Sequence, residues 1–302
     1  MTGGPLILLD GPLGTELLRR GVPTPLPGWS AHALETHPEQ VARIHADYAR
    51  AGATVHTANT FRTKRRTFPD RWEVLARLAV DTCRAAIDLH DGVPRRVAGS
   101  LAPLEDCYRP DLSPPDARPE HRELARVLAD AGVDLILCET FPHVGEGWIA
   151  VEEAVATGVE TWASFTAGPD ATLLTPEALR GAARGALERG AAAVLVNCTP
   201  AARTLRFVEA LADLGAPFGA YANAGAVDEG FGWRSAPSEP EAYAAVARTW
   251  RAAGASLIGS CCGTGPEHIA NLRALLGQVV QREESDERPG GRRHVGDADG
   301  AQ

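Results

Sequence analysis

Cys198 closes the apolar run AVLVNC, and Cys261 and Cys262 stand side by side at the end of a second run, SLIGSCC, with Gly263 directly after them. Consecutive residues on a strand point to opposite faces. Two adjacent cysteines therefore serve one partner only where the chain leaves strand geometry, and Gly259 and Gly263 bracket the pair and permit that bend. Three thiolates converging from two strand ends match an open tetrahedral zinc site, one ion per chain, with the fourth position kept for a ligand. Two other readings compete. One is a closed structural site with His56 or His268 as the fourth ligand; the other is a strained vicinal disulfide between Cys261 and Cys262 that leaves Cys198 without a role. Cys83, Cys107 and Cys138 read as small buried hydrophobes.

The elements that must position these thiols form one repeating pattern, a short apolar run followed by a helix-length segment. The runs are PLILLD (5–10), ATVHTA (53–58), RVAGSL (96–101), LILCET (135–140), TWASFT (161–166), AVLVNC (193–198), FGAYAN (218–223) and SLIGSCC (256–262). They are mostly apolar rather than alternating, as strands covered on both faces are. Gly52, Gly132, Gly190 and Gly254 fall where helix C-caps belong, and Pro38, Pro176, Pro240 and Pro266 where helices begin. Eight such units predict an α/β fold of the (β/α)8 TIM-barrel type, one domain over residues 1–280 with a disordered tail, 281–302. An open doubly wound sheet is the alternative, but the turn DGPLGTEL has the wrong glycine spacing for its phosphate loop. In a barrel the chemistry lies at the C-terminal strand ends. Those ends carry Asp10-Gly11, Thr57 to Phe61, Gly99-Ser100, Glu139-Thr140, Asn197-Cys198, Asn223 with Gly225, and Cys261-Cys262. The long segment 104–119 follows the third strand and is expected to work at the same rim.

Bulk properties narrow the function further. A net charge of -9 argues against nucleic acid as a partner. No apolar stretch reaches the ~20 residues of a membrane helix, and the N-terminus lacks a signal peptide's pattern. The expected location is the cytoplasm, where six cysteines serve as ligands or core fillers rather than disulfides. The single lysine, Lys64, sits in the basic cluster Arg62 to Arg66 and reads as solvated, which argues against Schiff-base chemistry.

Across residues 5–277 the sequence resembles the zinc-dependent homocysteine S-methyltransferases. The matching segments are LLDGPLGTELLRRG, TANTFRT, GSLAP, ETF, VNCTP, YANAG and GSCCGTGPEHI. The resemblance implies that Cys198, Cys261 and Cys262 hold zinc and that the thiol of homocysteine becomes its fourth ligand. It also implies that Glu139 holds the substrate ammonium and that Asp10 and the Gly11 backbone lie beside the amino-acid portion. Asn197 is expected at the same site. Trp29 and Phe61 match aromatic positions expected to face a cationic methyl donor, with Tyr108, Tyr221 and Trp233 as further candidates. Two departures stand out: Pro12 replaces the second glycine of the common Asp-Gly-Gly start, and Ser260 replaces a glycine before the cysteine pair.

No folate or cobalamin domain is expected after residue 280. The expected donor is therefore small, S-methylmethionine or S-adenosylmethionine, with betaine behind; a corrinoid protein or folate from another protein stays open. The alternatives are selenohomocysteine or selenocysteine as acceptor on the same site, or a barrel that binds zinc or a thiol amino acid without catalysis. The partners implied are small molecules, and oligomerisation is left open.

Overall fold

Each of the eight apolar runs becomes a parallel strand. The computed structural model describes residues 4–224 and 240–286, with side chains through 276. In chain order it runs β1 (Ile7–Leu8), α1 (Leu13–Arg19), a 3-10 turn (Trp29–His32), α2 (Ala33–Thr36), α3 (Pro38–Ala51) and β2 (Val55–Ala58). Then come α4 (Trp72–Ile87), β3 (Arg96–Leu101), α5 (Arg118–Asp130), β4 (Leu135–Phe141), α6 (Val144–Val155), β5 (Thr161–Phe165) and α7 (Pro176–Glu188). It ends with β6 (Ala193–Pro200), α8 (Ala201–Leu211), β7 (Phe218–Asn223), α9 (Pro240–Ala252), β8 (Leu257–Ser260) and α10 (Pro266–Asp286). The sheet order is β1-β8-β7-β6-β5-β4-β3-β2, and a Leu9–Val55 bridge brings its two ends together into a barrel.

Burial on both strand faces divides the core in two. Leu9, Val55, Ala98, Leu135, Leu137, Trp162, Leu195, Tyr221 and Leu257 fill the barrel interior. A larger shell including Ile44, Leu75, Leu128, Phe141, Phe207 and Trp250 seals strands against helices. Four helices end on the anticipated glycines, whose φ values of 111° (Gly52), 77° (Gly132), 99° (Gly190) and 100° (Gly254) belong to the left-handed C-cap. Among the described residues, no helix is long and apolar enough to cross a membrane.

One boundary shifts. The loss of apolar periodicity after 280 predicts a tail there, yet α10 continues through Asp286. Gln281 to Asp286 is rich in Arg and Glu, good helix formers, and extending an existing helix avoids the nucleation cost. Residues 287–302 lie outside the described part.

Candidate active site

The strand parity that fills the interior also aims the site. Leu135 and Leu137 face inward, so Glu139 continues their row at the C-terminal rim. The same alternation places Ser100 above Ala98, Asn197 above Leu195, Asn223 above Tyr221, and Cys261 above Leu257. Cys138, one residue out of phase with Glu139, packs in the outer shell as expected, as does Cys83 on α4.

The sulfur side is set by the backbone. Cys198 lies on the phase opposite to Asn197, but β6 breaks register between Asn197 and Pro200, and Cys198 adopts φ 49°. After β8 the chain turns through Cys261 and Cys262 to Gly263 at φ 84°. That turn is pinned by hydrogen bonds from Cys261 N to Ala222 O (2.8 Å), Ala224 N to Cys262 O (3.1 Å) and Gly263 N to Thr15 Oγ1 (3.2 Å). Beneath it the Tyr243 hydroxyl lies 2.9 Å from Gly259 O and 3.0 Å from Ala222 O. Gly259 serves close packing rather than the turn, since a Cβ there would stand 2.7 Å from Leu9 Cβ.

The outcome is that Cys198, Cys261 and Cys262 gather their sulfurs within 4.8 Å of one another, with 4.0 Å between Cys261 and Cys262. All three are free thiols in this structure. Contact with Cys261 raises the Cys198 thiol well above the ordinary range, contact with Cys198 does the same for Cys262, and burial adds to both. Three crowded protonated thiols are the expected state of a soft-metal site before it exchanges protons for a cation. Sulfurs around a tetrahedral zinc ion lie about 3.8 Å apart at ~2.3 Å bonds, so this spacing fits. Neither histidine completes the group: His268 Nδ1 accepts from Gly265 N (3.1 Å) at the start of α10, and His56 belongs to another cluster.

The carboxylate side is set by hydrogen bonds to the two carboxyls themselves. Glu139 is buried; its Oε1 accepts from Ser100 Oγ (2.5 Å) and its Oε2 from the Tyr221 hydroxyl (3.0 Å). Burial raises its pKa and these two bonds partly offset that. Tyr221 thus acts as a partner of Glu139, a role that sequence position alone does not reveal. Asp10 Oδ2 accepts from Thr57 N (2.9 Å); burial raises Asp10 well above the carboxylate range, Thr57 opposes this, and Glu139 adds repulsion. Two buried carboxyls that repel one another favour a cation between them.

Asp10 also forms a close group with His45 and His56, whose ligand atoms lie within 4.8 Å. One ring nitrogen of His56 lies 3.1 Å from Ala53 O, the other 4.0 Å from Asp10 Oδ2, and both nitrogens of His45 are buried without a partner.

Asn197 joins the two sides. Its Oδ1 accepts from Thr140 N (3.1 Å) and Ser164 Oγ (2.8 Å), and its Nδ2 donates to Thr140 Oγ1 (2.7 Å). Thr140 adopts φ 63° at a second register break, between Cys138 and Phe141. One amide therefore fastens the left-handed Thr140, beside Glu139, from the residue that precedes the left-handed Cys198. Strained backbone of this kind persists where its surroundings over-determine it. Asn223 differs: its amide is buried with both polar atoms unpartnered among the described residues, on the strand between the two that carry the thiols.

Gly11 is explained by packing, since a Cβ would fall 2.6 Å from the Tyr48 ring, whose hydroxyl donates to Pro12 O (3.0 Å). Pro12 itself leads into α1 at φ -71°. Trp29 and Phe61 meet edge to face at 6.3 Å, both half-buried. The Phe61 face is flanked by the chain's own cations, Arg62 Cζ at 5.5 Å and Lys64 Nζ at 5.7 Å.

Lys64 overturns the expectation of a solvated amine. It is 2% exposed, donates to the Pro103 carbonyl, and burial followed by the neighbouring Arg62 lowers its pKa to about 7. The basic run misled because its members face different ways: Arg65 and Arg66 reach outward to Glu123 and Glu120. Cys107 is likewise no core filler. It is half-buried on the 104–119 segment, close enough to Cys198 and Cys262 to raise both, and the Tyr108 hydroxyl is raised first by burial and then by the same thiols. Gly225 and Trp233 lie outside the described residues.

The comparisons with known proteins agree with this geometry. The family model described as homocysteine S-methyltransferase matches residues 7–276. Homocysteine S-methyltransferase YbgG of Bacillus subtilis is 33% identical over 298 residues, spanning 89% of this chain and 94% of the relative. A selenocysteine methyltransferase of Astragalus bisulcatus is 28% identical, over 90% of this chain and 93% of its own. The metallated homocysteine methyltransferase MmuM of Escherichia coli superimposes with a TM-score of 0.74 at 28% identity, over 89% of this chain and 96% of its own. Barrel, gathered thiols and kinship converge: the chain belongs to the homocysteine S-methyltransferase family.

Proposed function

We propose that this barrel carries out zinc-dependent methyl transfer from a small cationic donor to the thiol of homocysteine, giving methionine. The observation that carries the reading is the gathering of Cys198, Cys261 and Cys262 to a spacing that suits one tetrahedral zinc ion. When bound there, zinc supplies a Lewis-acid seat at which a substrate thiol, with a pKa near ~8.5, sheds its proton at neutral pH and stays nucleophilic.

The chain's own residues do the rest. Glu139, held by Ser100 and Tyr221, and Asp10, held by Thr57, receive the substrate ammonium between two carboxyls that otherwise repel. Asn223 offers a buried amide with a donor and an acceptor in need of partners, which suits an amino-acid head. Asn197 fixes the distance between the two halves. With the acceptor so placed, its sulfur bonds the methyl carbon while the bond to the onium atom breaks, and that atom keeps the electron pair and leaves uncharged. Orientation of this kind contributes several kcal/mol of the barrier.

The test is the purified protein with zinc and homocysteine, offered S-methylmethionine, S-adenosylmethionine and betaine in turn, with methionine measured by mass spectrometry. At least one donor is expected to give methionine, and a chelator to abolish the reaction. A zinc-loaded protein inert with every donor would leave the non-catalytic reading standing. Relatives named for selenocysteine support a second acceptor on the same soft-ligand site. Competition between homocysteine and selenocysteine decides which is preferred.

A further inference from the structure

Two buried histidines beside β2 take no part in the methyl-transfer site. Val55 faces the barrel interior, so His56, next on β2, faces the helices, where His45 of α3 lies close to it. Asp10, just past β1, completes the group: one ligand atom from each of the three lies within 4.8 Å of the others. The three residues are 1% (His45), 0% (His56) and 6% (Asp10) exposed.

Both rings are free to act as ligands. His56 Nε2 lies 3.1 Å from Ala53 O, and a carbonyl only accepts, so Nε2 carries the proton. That leaves His56 Nδ1 with a bare lone pair, 4.0 Å from Asp10 Oδ2 and without a hydrogen bond. A backbone carbonyl behind the ring is the usual way to orient a metal-binding histidine. Both His45 nitrogens lack a partner among the described residues, so turning that ring breaks no hydrogen bond. Buried polar atoms left in this state are costly. A buried water is one remedy; a cation satisfies both imidazoles and the carboxylate at once. Ligands around a four-coordinate ion with ~2.1 Å bonds stand about 3.4 Å apart, so the group closes by roughly 1 Å on binding. Two imidazoles and one carboxylate suit zinc or another borderline divalent ion rather than magnesium or calcium.

We propose that Asp10, His45 and His56 form a second divalent-cation site, which competes with homocysteine for Asp10. The competition rests on the reading above that Asp10 receives the substrate ammonium; the site itself does not. Asp10 belongs to both places, since its carbonyl accepts from Ser260 N (3.3 Å), directly before the cysteine pair. With a dication on Asp10 the ammonium loses an attraction and meets a like charge, and by reciprocity homocysteine expels the ion. The thiol group holds its ion more tightly, with three soft anionic ligands against one hard one. The second ion therefore binds only from excess metal and leaves on gel filtration.

For the test, the full chain carrying one zinc ion is titrated by calorimetry with further zinc. Homocysteine is then titrated without donor, at stoichiometric and at excess zinc. One further ion per chain is expected in the wild type and none in His45→Leu or His56→Leu; either variant suffices where the other fails to fold. Excess zinc should weaken homocysteine by about tenfold more in the wild type than in the variants, within the usual range of coupling between sites. The variants report the zinc that homocysteine binds free in solution. A wild type that takes no second ion overturns the proposal, as does a second ion that survives both substitutions, or an equal effect of excess zinc in all three proteins. If the second ion binds and competes but no donor yields methionine, the proposal stands and the methyltransferase reading fails instead.

Discussion

The two halves of the rim reach the same precision by different means. From β6 to β8 the backbone does the positioning: a left-handed residue at Cys198, another at Gly263, and amide bonds that pin the turn between them. From β1 to β4 the carboxyls are held from other strands, Glu139 by the Ser100 and Tyr221 hydroxyls and Asp10 by the Thr57 backbone N–H. The difference teaches where each half is vulnerable. The sulfur half fails by losing a ligand, while the carboxylate half is expected to weaken by degrees.

The largest effect expected from breaking this contrast comes from Cys198→Ala, Cys261→Ala or Cys262→Ala. Each should lose stoichiometric zinc and reduce methyl transfer to background, because two thiolates do not make a structural zinc site. The fold should persist, since Cys198 and Cys262 belong to neither packed core and Cys261 only borders the inner one. Metal analysis with circular dichroism checks both halves of the statement; full zinc retention in all three variants would end the ligand assignment.

The carboxylate half should respond more selectively. Glu139→Gln keeps the shape but removes the charge, and with it a charge-assisted bond to an ammonium. Homocysteine kcat/KM is expected to fall by about tenfold to hundredfold with zinc content unchanged. Tyr221→Phe should cost less, about fivefold, because Ser100 still holds the other oxygen. An unaltered homocysteine affinity in Glu139→Gln would remove that residue from the substrate site.

This contrast also explains what the sequence disclosed. The eight runs, the capping glycines and the three cysteines are local signals, written in one stretch of chain each. The partnership of Tyr221 with Glu139 spans 82 residues, and that of Asn197 with Thr140 spans 57. Nothing in either stretch announces the other. Lys64 shows the reverse error: a run of like charges reads as solvated, but tertiary packing turned one member inward and gave its neighbours separate carboxylates. The segment 104–119 was recognisable as a rim loop, yet the nearness of Cys107 to the thiols depends on how that loop folds over.

Asn197 sharpens the comparison because it belongs to both halves. Asn197→Ala removes three hydrogen bonds, two to Thr140 and one to Ser164, and loosens Thr140 and the strand end that carries Cys198. Partners that orient a ligand typically contribute tenfold to hundredfold in metal affinity. Zinc affinity is therefore expected to fall by about tenfold, and homocysteine KM to rise in the same variant. Chelator competition and steady-state kinetics on one preparation read both. A change in only one of the two would mean that the halves are held independently.

The smallest effect concerns acid stability, and it arises where the carboxylate half meets α3. Burial lowers His45 to about 4; burial, then His45 itself, lowers His56 to about 3. Unfolded histidines take a proton near pH ~6.5. Between that value and about 4 the unfolded chain therefore binds more protons, so folding stability is intact above pH ~6.5 and falls as the pH drops, by up to about 1.4 kcal/mol per pH unit for each histidine. The raised carboxyls Asp10 and Glu139 act in the opposite direction, gaining protons in the folded state first. His45→Leu removes one acid-sensitive group whose two nitrogens have no partner, so it should cost little at pH 7 and flatten the acid limb by about 1 kcal/mol between pH 6.5 and 5. Asp10→Asn should steepen it. Urea midpoints at pH 7 and pH 5 measure both; parallel limbs in the wild type and His45→Leu would show that His45 takes its proton in the folded state as readily as in the unfolded one.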